Sequence, residues 1–213
     1  MGMSIIIVGT GGHAHAVTEV ACSAGFTITG YLDSTSNKHE FLGAPVIVSW
    51  REIPPKQAFA IAIGHNFDRQ RVHNDLLSEF PEARFPAIIH SSCVIGLGTE
   101  VGDGTIAMPN SYVGPTSKIG RFCIVNSSSS VDHECHLRDY SSVAPGATLG
   151  GNVSLGERAA VCIGASIKHG TTIGTDVVIG GNSFVCDDLP DGVVAYGCPA
   201  TVRRQREFDS PYL

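Results

Sequence analysis

The chain has 213 residues, a formal net charge of −6 at pH 7, 16% charged residues and 25 glycines. An acidic balance without a Lys/Arg cluster excludes an extended nucleic-acid-binding surface, and no apolar run is long enough for a membrane span or a secretory signal. The length allows one large domain or two modest ones. We therefore expect a cytoplasmic protein that binds neither nucleic acid nor membrane.

The first third of the chain alternates strands with helices. Strand, helix, strand, strand and helix are predicted in that order over residues 4–8, 14–24, 26–32, 58–63 and 68–80. This alternation predicts a small α/β domain in residues 1–85, a half-Rossmann-like parallel sheet, with an irregular excursion over residues 34–57 that includes a short strand near residues 46–48. Its ligand site is expected beyond the carboxyl ends of the strands, where the loops at Gly12, Asp33 and Asn66 converge.

A glycine-rich loop follows the first strand. Gly9, Gly11 and Ala14 match the pattern G-x-G-x-x-A, and Asp33 follows at about the distance of a ribose-binding acid. Backbone amides and a helix amino end favour a pyrophosphate there, and His13 is placed to meet an anion or a sugar hydroxyl. Fewer than 90 residues precede the next domain, about half of a full dinucleotide fold, so a nucleoside diphosphate fits better than NAD. A glycine turn that only joins strand to helix remains the structural alternative.

A six-residue period governs the rest of the chain. Every sixth residue from Ile89 to Val185 is apolar, and a small or short side chain lies two places before each. Neither the period of a strand nor that of a helix gives six. Short straight segments joined by tight turns do, so residues 86–213 are predicted to form a parallel β-helix of hexapeptide repeats, ending in a loose tail at residues 205–213. Its flat faces carry little charge, and we expect copies to associate about a threefold axis with ligand clefts between them.

One segment of the repeat, residues 126–136, carries ionisable side chains. His133 lies between Asp132 and Glu134, which makes it a candidate general base, although a surface histidine among charged neighbours is the plainer alternative. Cys135 occupies the small-residue position of the repeat and offers a rival mechanism through an acyl-cysteine. No Cys/His spacing resembles a zinc site, so we expect no metal.

Three motifs together resemble one family. They are Gly-Thr-Gly-Gly-His at residues 9–13, Ser-Ser-Val-Asp-His-Glu-Cys at residues 129–135 and Gly-Cys-Pro-Ala at residues 197–200. They are similar to the sugar O/N-acyltransferases, which include the sialic-acid O-acetyltransferases and the nucleotide-linked 4-amino-sugar N-acetyltransferases of the bacillosamine and perosamine pathways. The resemblance implies a left-handed β-helix and a homotrimer. It further implies acetyl-CoA as co-substrate and a nucleotide-linked 4-amino-4,6-dideoxy sugar as acceptor, with UDP favoured, in bacterial surface-glycan biosynthesis.

The resemblance also implies roles for individual residues. His133 would accept the proton of the attacking amine, and Glu134, or alternatively Asp132, would orient it. The nucleotide sugar would bind Gly11, Gly12, His13, Asp33 and Asn66. Acetyl-CoA would lie between neighbouring chains near Ser142, Gly151, Gly164 and Gly181, where Ser142 replaces a histidine of the closest relatives. O-acetylation of sialic acid or a related sugar, and an NAD-binding or regulatory module, remain the alternative functions.

Overall fold

The computed structural model describes residues 2–212. The first unit is a five-stranded sheet of order β3-β4-β2-β1-β5, parallel except for the β3–β4 pair. Its elements are β1 (Ser4–Val8), α1 (Gly12–Ser23), β2 (Thr27–Leu32), β3 (Glu40–Phe41), β4 (Ala44–Ile47), a 3-10 turn (Trp50–Glu52), β5 (Phe59–Ile61) and α2 (Asn66–Glu79). The predicted α/β unit is confirmed, and β4 overlaps the short strand expected near residues 46–48. The additional strand β3 pairs with it as a hairpin inside the predicted irregular segment.

The apolar core of this unit lies between β1 and α1. Ile5 and Ile7 of β1 are fully buried, as are Val17 and Val20 of α1. β1 lies between β2 and β5, so the strands that follow it in the chain are added first on one side of it and then on the other. This change of direction leaves a crevice at the carboxyl end of β1.

Residues 88–185 form seventeen two-residue strands, and the second residue of each is the predicted apolar position. The strands are β6 (Ile88–Ile89), β7 (Val94–Ile95), β8 (Glu100–Val101), β9 (Ile106–Ala107), β10 (Tyr112–Val113), β11 (Lys118–Ile119), β12 (Ile124–Val125), β13 (Ser130–Val131), β14 (His136–Leu137), β15 (Ser142–Val143), β16 (Thr148–Leu149), β17 (Ser154–Leu155), β18 (Ala160–Val161), β19 (Ser166–Ile167), β20 (Thr172–Ile173), β21 (Val178–Ile179) and β22 (Phe184–Val185). From Ala107 to Val185 these second residues are at most 4% exposed, so they fill the interior of the coil. The hairpin β23 (Val193–Gly197) and β24 (Ala200–Gln205) follows.

The coil is a left-handed triangular prism whose strands stack into three faces. Face 1 contains β6, β9, β12, β15, β18, β21, β23 and β24; face 2 contains β7, β10, β13, β16, β19 and β22; face 3 contains β8, β11, β14, β17 and β20. A strand pairs in parallel with the strand 18 residues later, as Tyr112 does with Ser130. The edges are named by the faces they join: the 1/2, 2/3 and 3/1 edges. Every sixth residue from Gly98 to Asn182 has a left-handed backbone, with φ between 54° and 72°, and turns the chain at an edge.

The N-terminal unit is seated on the 3/1 edge through α2. The buried Arg69 guanidinium donates to the carbonyl oxygens of Phe122 and Tyr140 on the coil, both at 2.8 Å. It also donates to the carbonyls of Ile63 and Gly64, at 3.0 and 2.8 Å. One side chain therefore ties the end of β5 to two successive coils.

Residues 206–212 pack against both units, whereas a loose tail was expected. Arg206 donates to the carbonyl oxygens of Asp176 and Ser210, at 3.0 and 3.1 Å. The Tyr212 hydroxyl accepts the backbone N–H of Asn66 at 2.9 Å, so this segment also satisfies an amide at the start of α2. Neither helix within residues 2–212 has the length and hydropathy that a membrane crossing requires.

Candidate active site

His133 lies on the 2/3 edge, in the turn between β13 and β14. Its side chain is 54% exposed, and its Nδ1 is 3.0 Å from a carboxylate oxygen of Glu134, whose side chain is 64% exposed. Glu134 has a left-handed backbone, with φ of 58°, and is the turning residue of this edge. With Nδ1 bound to Glu134, the Nε2 atom is left to meet a substrate.

Asp132 has a different partner from Glu134. One of its carboxylate oxygens accepts the backbone N–H of His133 at 2.7 Å, so it fixes the turn and does not contact the imidazole. The hydroxyl of Ser117, one coil earlier, donates to the Asp132 carbonyl at 2.9 Å and accepts the N–H of Cys135 at 3.1 Å. The geometry therefore favours Glu134 over Asp132 as the partner of the histidine.

Gly151 lies one coil above His133, directly against its ring. A Cβ atom built on Gly151 would lie 2.5 Å from both Cε1 and Nε2 of the imidazole. Such a distance is shorter than real side chains allow, so the absence of a side chain at this position makes room for the ring. Gly151 is thus a neighbour of the candidate base, and the sequence-based expectation had put it with the donor.

Cys135 points into the coil. It is fully buried, and its thiol donates to the carbonyl of Gly150 at 3.3 Å. Burial raises the pKa of this thiol, which disfavours the nucleophilic thiolate. The geometry therefore gives no support to an acyl-cysteine.

A second site is the crevice at the carboxyl end of β1, a cavity of about 460 Å³. Gly11 and Gly12 lie exposed at the amino end of α1, and a Cβ built on either would meet no atom within 4 Å. His13, in the first turn of the helix, also lines this cavity. Its Nε2 is buried and has no hydrogen-bond partner within residues 2–212. Burial and the charge of Arg69 lower the pKa of His13 to about 4, so the imidazole is neutral at pH 7.

Asp33 closes the opposite wall of this crevice. One carboxylate oxygen accepts the hydroxyl of Thr10 at 2.6 Å, and the other accepts the hydroxyl of Thr35 at 2.8 Å. Partial burial opposes ionisation of Asp33, but the hydrogen bonds from Thr10 and Thr35 outweigh it and lower the pKa. Asp33 therefore stays anionic and holds the glycine loop in place.

Asn66 lies outside the crevice, contrary to the expectation that its loop converges there. Its side chain is fully buried and donates to the carbonyls of Arg158 and Ala159, at 3.0 and 3.1 Å, while its oxygen accepts from Arg69 at 2.7 Å. Both the nitrogen and the oxygen of this amide are hydrogen-bonded to protein groups. Asn66 therefore joins the two units and is not a ligand-binding residue.

A third site is a groove of about 690 Å³ on face 1. Ser142 of β15 and Gly181 line it, together with small and branched apolar side chains of β18 and β21. Gly164 does not line the groove: it is a turning residue of the 1/2 edge, with φ of +66°, and a Cβ there would clash with the Asn182 side chain. Of the four residues expected at the donor, the groove therefore includes Ser142 and Gly181.

Among the groove residues that sequence reasoning missed are three large polar side chains: Arg204, Arg206 and Tyr212. They lie beyond the hexapeptide period, and no local pattern connects them to face 1. No group of three or more His, Cys, Asp and Glu side chains within residues 2–212 is arranged to hold a metal ion.

One relative decides the family. GDP-perosamine N-acetyltransferase of Escherichia coli O157:H7 is 32% identical over 182 residues, which cover 83% of this chain and 77% of the relative. The chain belongs to the perosamine N-acetyltransferase family. It is therefore an acyltransferase, and the resemblance drawn from the three motifs is confirmed.

Solved structures of similar proteins share the architecture. PerB from Caulobacter crescentus, in complex with CoA and GDP-perosamine, has a TM-score of 0.87 at 32% identity, over 96% of this chain and 98% of that one. The acetyltransferase domain of PglB from Neisseria gonorrhoeae FA1090, in complex with acetyl coenzyme A, has a TM-score of 0.88 at 28% identity, over 95% and 100%. The PglD N-terminal domain family matches residues 4–76. The fold class of both units is thus confirmed.

Proposed function

We propose that this acyltransferase moves an acetyl group from acetyl-CoA to the 4-amino group of a nucleoside-diphosphate-linked 4-amino-4,6-dideoxy sugar, in the synthesis of bacterial surface glycans. The observation that carries the proposal is the exposed His133–Glu134 pair on the edge of the coil. The anion-accepting crevice in residues 1–85 would hold the nucleotide. Both substrates are cytoplasmic metabolites, so we assign the reaction to the cytoplasm.

The reaction is a direct transfer. The uncharged amine attacks the thioester carbonyl carbon while His133 removes its proton through Nε2, and the C–N bond of a tetrahedral intermediate forms. The intermediate collapses with cleavage of the C–S bond, and the departing CoA thiolate takes up the proton that the imidazolium gives back. Glu134 accepts the Nδ1–H, which fixes the tautomer and stabilises the imidazolium that forms. General-base help of this kind contributes about 10²–10⁴-fold to the rate.

The crevice suits a diphosphate for three physical reasons. The exposed amino end of α1 offers unpaired backbone N–H groups and the positive end of the helix dipole. Gly11 and Gly12 leave the backbone open to close approach. The unpartnered Nε2 of His13 is a polar atom that a phosphate or sugar hydroxyl can satisfy.

Assembly into a trimer would complete the site. In a triangular prism, the 2/3 edge with His133 is opposite face 1 with the donor groove, so one chain cannot bring the two together. Three prisms that turn face 2 towards a common axis bring the 2/3 edge of one beside the 1/2 edge of the next. Face 2 suits that burial because it exposes Val94 (56%), Tyr112 (36%) and Phe184 (39%).

A mixed-variant experiment tests this arrangement. Gly181→Trp fills the donor groove and His133→Ala removes the base, and each protein alone should be nearly inactive. If the site joins two chains, randomly mixed trimers regain roughly a quarter of the unsubstituted activity, because that share of seams carries both intact halves. Mixtures as inactive as the separate variants would contradict a shared site.

The proposed reaction is tested by a screen with acetyl-CoA that follows thiol release. UDP-, GDP- and dTDP-linked 4-amino sugars are compared, since the sequence-based expectation is UDP and two of the relatives act on or bind GDP-perosamine. We expect rapid release with one of them. Release only with a sialic acid or another free sugar would favour the O-acetyltransferase. Thermal stabilisation by NAD, with none by acetyl-CoA or nucleoside diphosphates, would favour the regulatory module.

A further inference from the structure

The face 1 groove has a wall that does not belong to the hexapeptide coil. Its floor comes from the outer side of β15, β18 and β21: Ser142 contributes a hydroxyl, and the buried Ala160 and Val178 contribute an apolar surface. The remaining wall is Arg204 of β24 and the segment 206–212, of which Tyr212 packs against the same apolar cluster. The groove therefore exists in this form only while that segment is docked.

Arg206 holds the segment in place. Its side chain is 1% exposed, its two terminal nitrogens bond to the carbonyls of Asp176 and Ser210, and its guanidinium lies 5.1 Å from the Tyr212 ring centre. Its Nε–H has no acceptor among the described residues. A buried N–H beside a groove is a polar group that an amide-containing ligand can satisfy.

The charge of the groove differs from that of the chain. The protein has a net charge of −6, yet the described residues that line the groove include two arginines and no Asp or Glu. Arg204 is exposed, and its guanidinium donates a long hydrogen bond, of 3.3 Å, to the carbonyl of Gln205. An apolar floor beside the exposed guanidinium of Arg204 suits a ligand with a neutral arm and a phosphate-bearing end.

We propose that Arg204 binds the phosphates of the CoA donor and that the Tyr212 ring packs against its pantetheine arm, with Arg206 positioning the segment. This inference rests on the proposed function, since it takes acetyl-CoA as the occupant of the groove. The adjacent Arg203 provides a matched comparison. It donates to the carbonyl of Tyr196 and lies over that ring at 5.0 Å, outside the groove.

Calorimetric titration of the full chain with CoA and with pantetheine, which lacks the phosphates, tests the assignment. Arg204→Gln should weaken CoA binding about three- to tenfold and leave pantetheine binding unchanged, since only charge-assisted contacts to phosphate are lost. Arg203→Gln should change neither affinity. Tyr212→Ala should weaken both ligands, and Tyr212→Phe, which keeps the ring, should restore them.

The failures are distinguishable. An unsubstituted protein that binds CoA, with Arg204→Gln and Tyr212→Ala binding it equally well, overturns this inference alone. An unsubstituted protein that does not bind CoA overturns the proposed function and this inference with it. Thermal unfolding of each variant shows whether a loss of affinity comes from unfolding. If Tyr212→Ala is unfolded, Arg204→Gln, which alters an exposed side chain, is the variant that tests the inference.

Discussion

Replacing Gly151 by alanine should displace the imidazole of His133, the proposed base, and leave the histidine itself in the sequence. The new Cβ would lie 2.5 Å from Cε1 and Nε2 of His133, while ordinary contacts begin at 3.4 Å, so the ring must move by 0.9 Å. The backbone of Gly151 is not in the left-handed region, so alanine introduces no strain of its own. The histidine is exposed and can swing outward.

A displacement of about 1 Å at the reacting centre costs about 10²-fold in rate. We therefore expect kcat of Gly151→Ala to fall about 10²-fold. The free energy of unfolding should change by less than about 0.5 kcal/mol, because the ring relaxes into solvent. The affinity for CoA should stay within twofold of the unsubstituted value, roughly the scatter of variants that leave a binding site intact.

Steady-state thiol release, measured in the background of His133→Ala as well, tests this reasoning. Since the substitution acts only through the imidazole, Gly151→Ala should cause no further loss once His133 is gone. A Gly151→Ala enzyme with normal kcat would refute the geometry. An equal drop in both backgrounds would show that Gly151 acts on something other than His133.

Three further predictions concern the partners of the site and the core. Glu134→Gln should lower kcat about tenfold or more, and Asp132→Asn should have a smaller effect, because, of these two carboxylates, Glu134 contacts the imidazole. Similar kcat values for both variants would contradict the assignment of Glu134 as the partner of His133. Asn66→Ala should lower the free energy of unfolding by about 2–4 kcal/mol, since it leaves buried partners unsatisfied. It should leave KM for the nucleotide sugar unchanged. A raised KM at normal stability would show that Asn66 belongs to the substrate site. Burial lowers the pKa of His13 and His73 to about 4, below about 6.5 in the unfolded chain. Acidification from about pH 6.5 to 4 therefore protonates the unfolded state first and lowers stability, by up to about 1.4 kcal/mol per pH unit and histidine. His73→Asn should flatten that slope in urea titrations, and an unchanged slope would contradict it.

The coil was the most predictable part of the molecule. Its register is repeated seventeen times, and each repeat places one branched side chain inside, so an error of one residue would expose the whole set. The six-residue period also predicts which residues lie next to each other on successive coils. Three six-residue steps make one coil, so Gly151, 18 residues after His133, lies directly above it, and this neighbour could have been identified from the sequence.

The start of α2 was predicted two residues late, at residue 68. His65 is its N-cap residue and makes no side-chain cap, and Asn66, the first helical residue, was assigned to a loop. Its actual partners, Arg158 and Ala159, lie more than 90 residues away. The glycine loop at Gly11 and Gly12 was predictable because its conformation depends on adjacent residues.

The docking of residues 206–212 depends on tertiary contacts alone. Arg206 and Tyr212 have no periodic neighbours, and their partners lie on a distant coil and on α2. The segment has a polar sequence without a period, so it was predicted to be a loose tail, although Arg206 is almost fully buried. For the same reason, the sequence analysis identified Ser142 and Gly181 of the groove on face 1 but not Arg206 or Tyr212.

The central claim is that His133 is the general base of a direct transfer to a sugar amine. The most direct measurement is the single-turnover rate of acetyl transfer by His133→Ala, with CoA affinity measured on the same preparation. We predict unchanged CoA affinity, a rate about 10²–10⁴-fold below that of the unsubstituted enzyme, and no acetylated protein in the mass spectrum. A near-normal rate, or an acetyl group accumulating on Cys135, would contradict the mechanism.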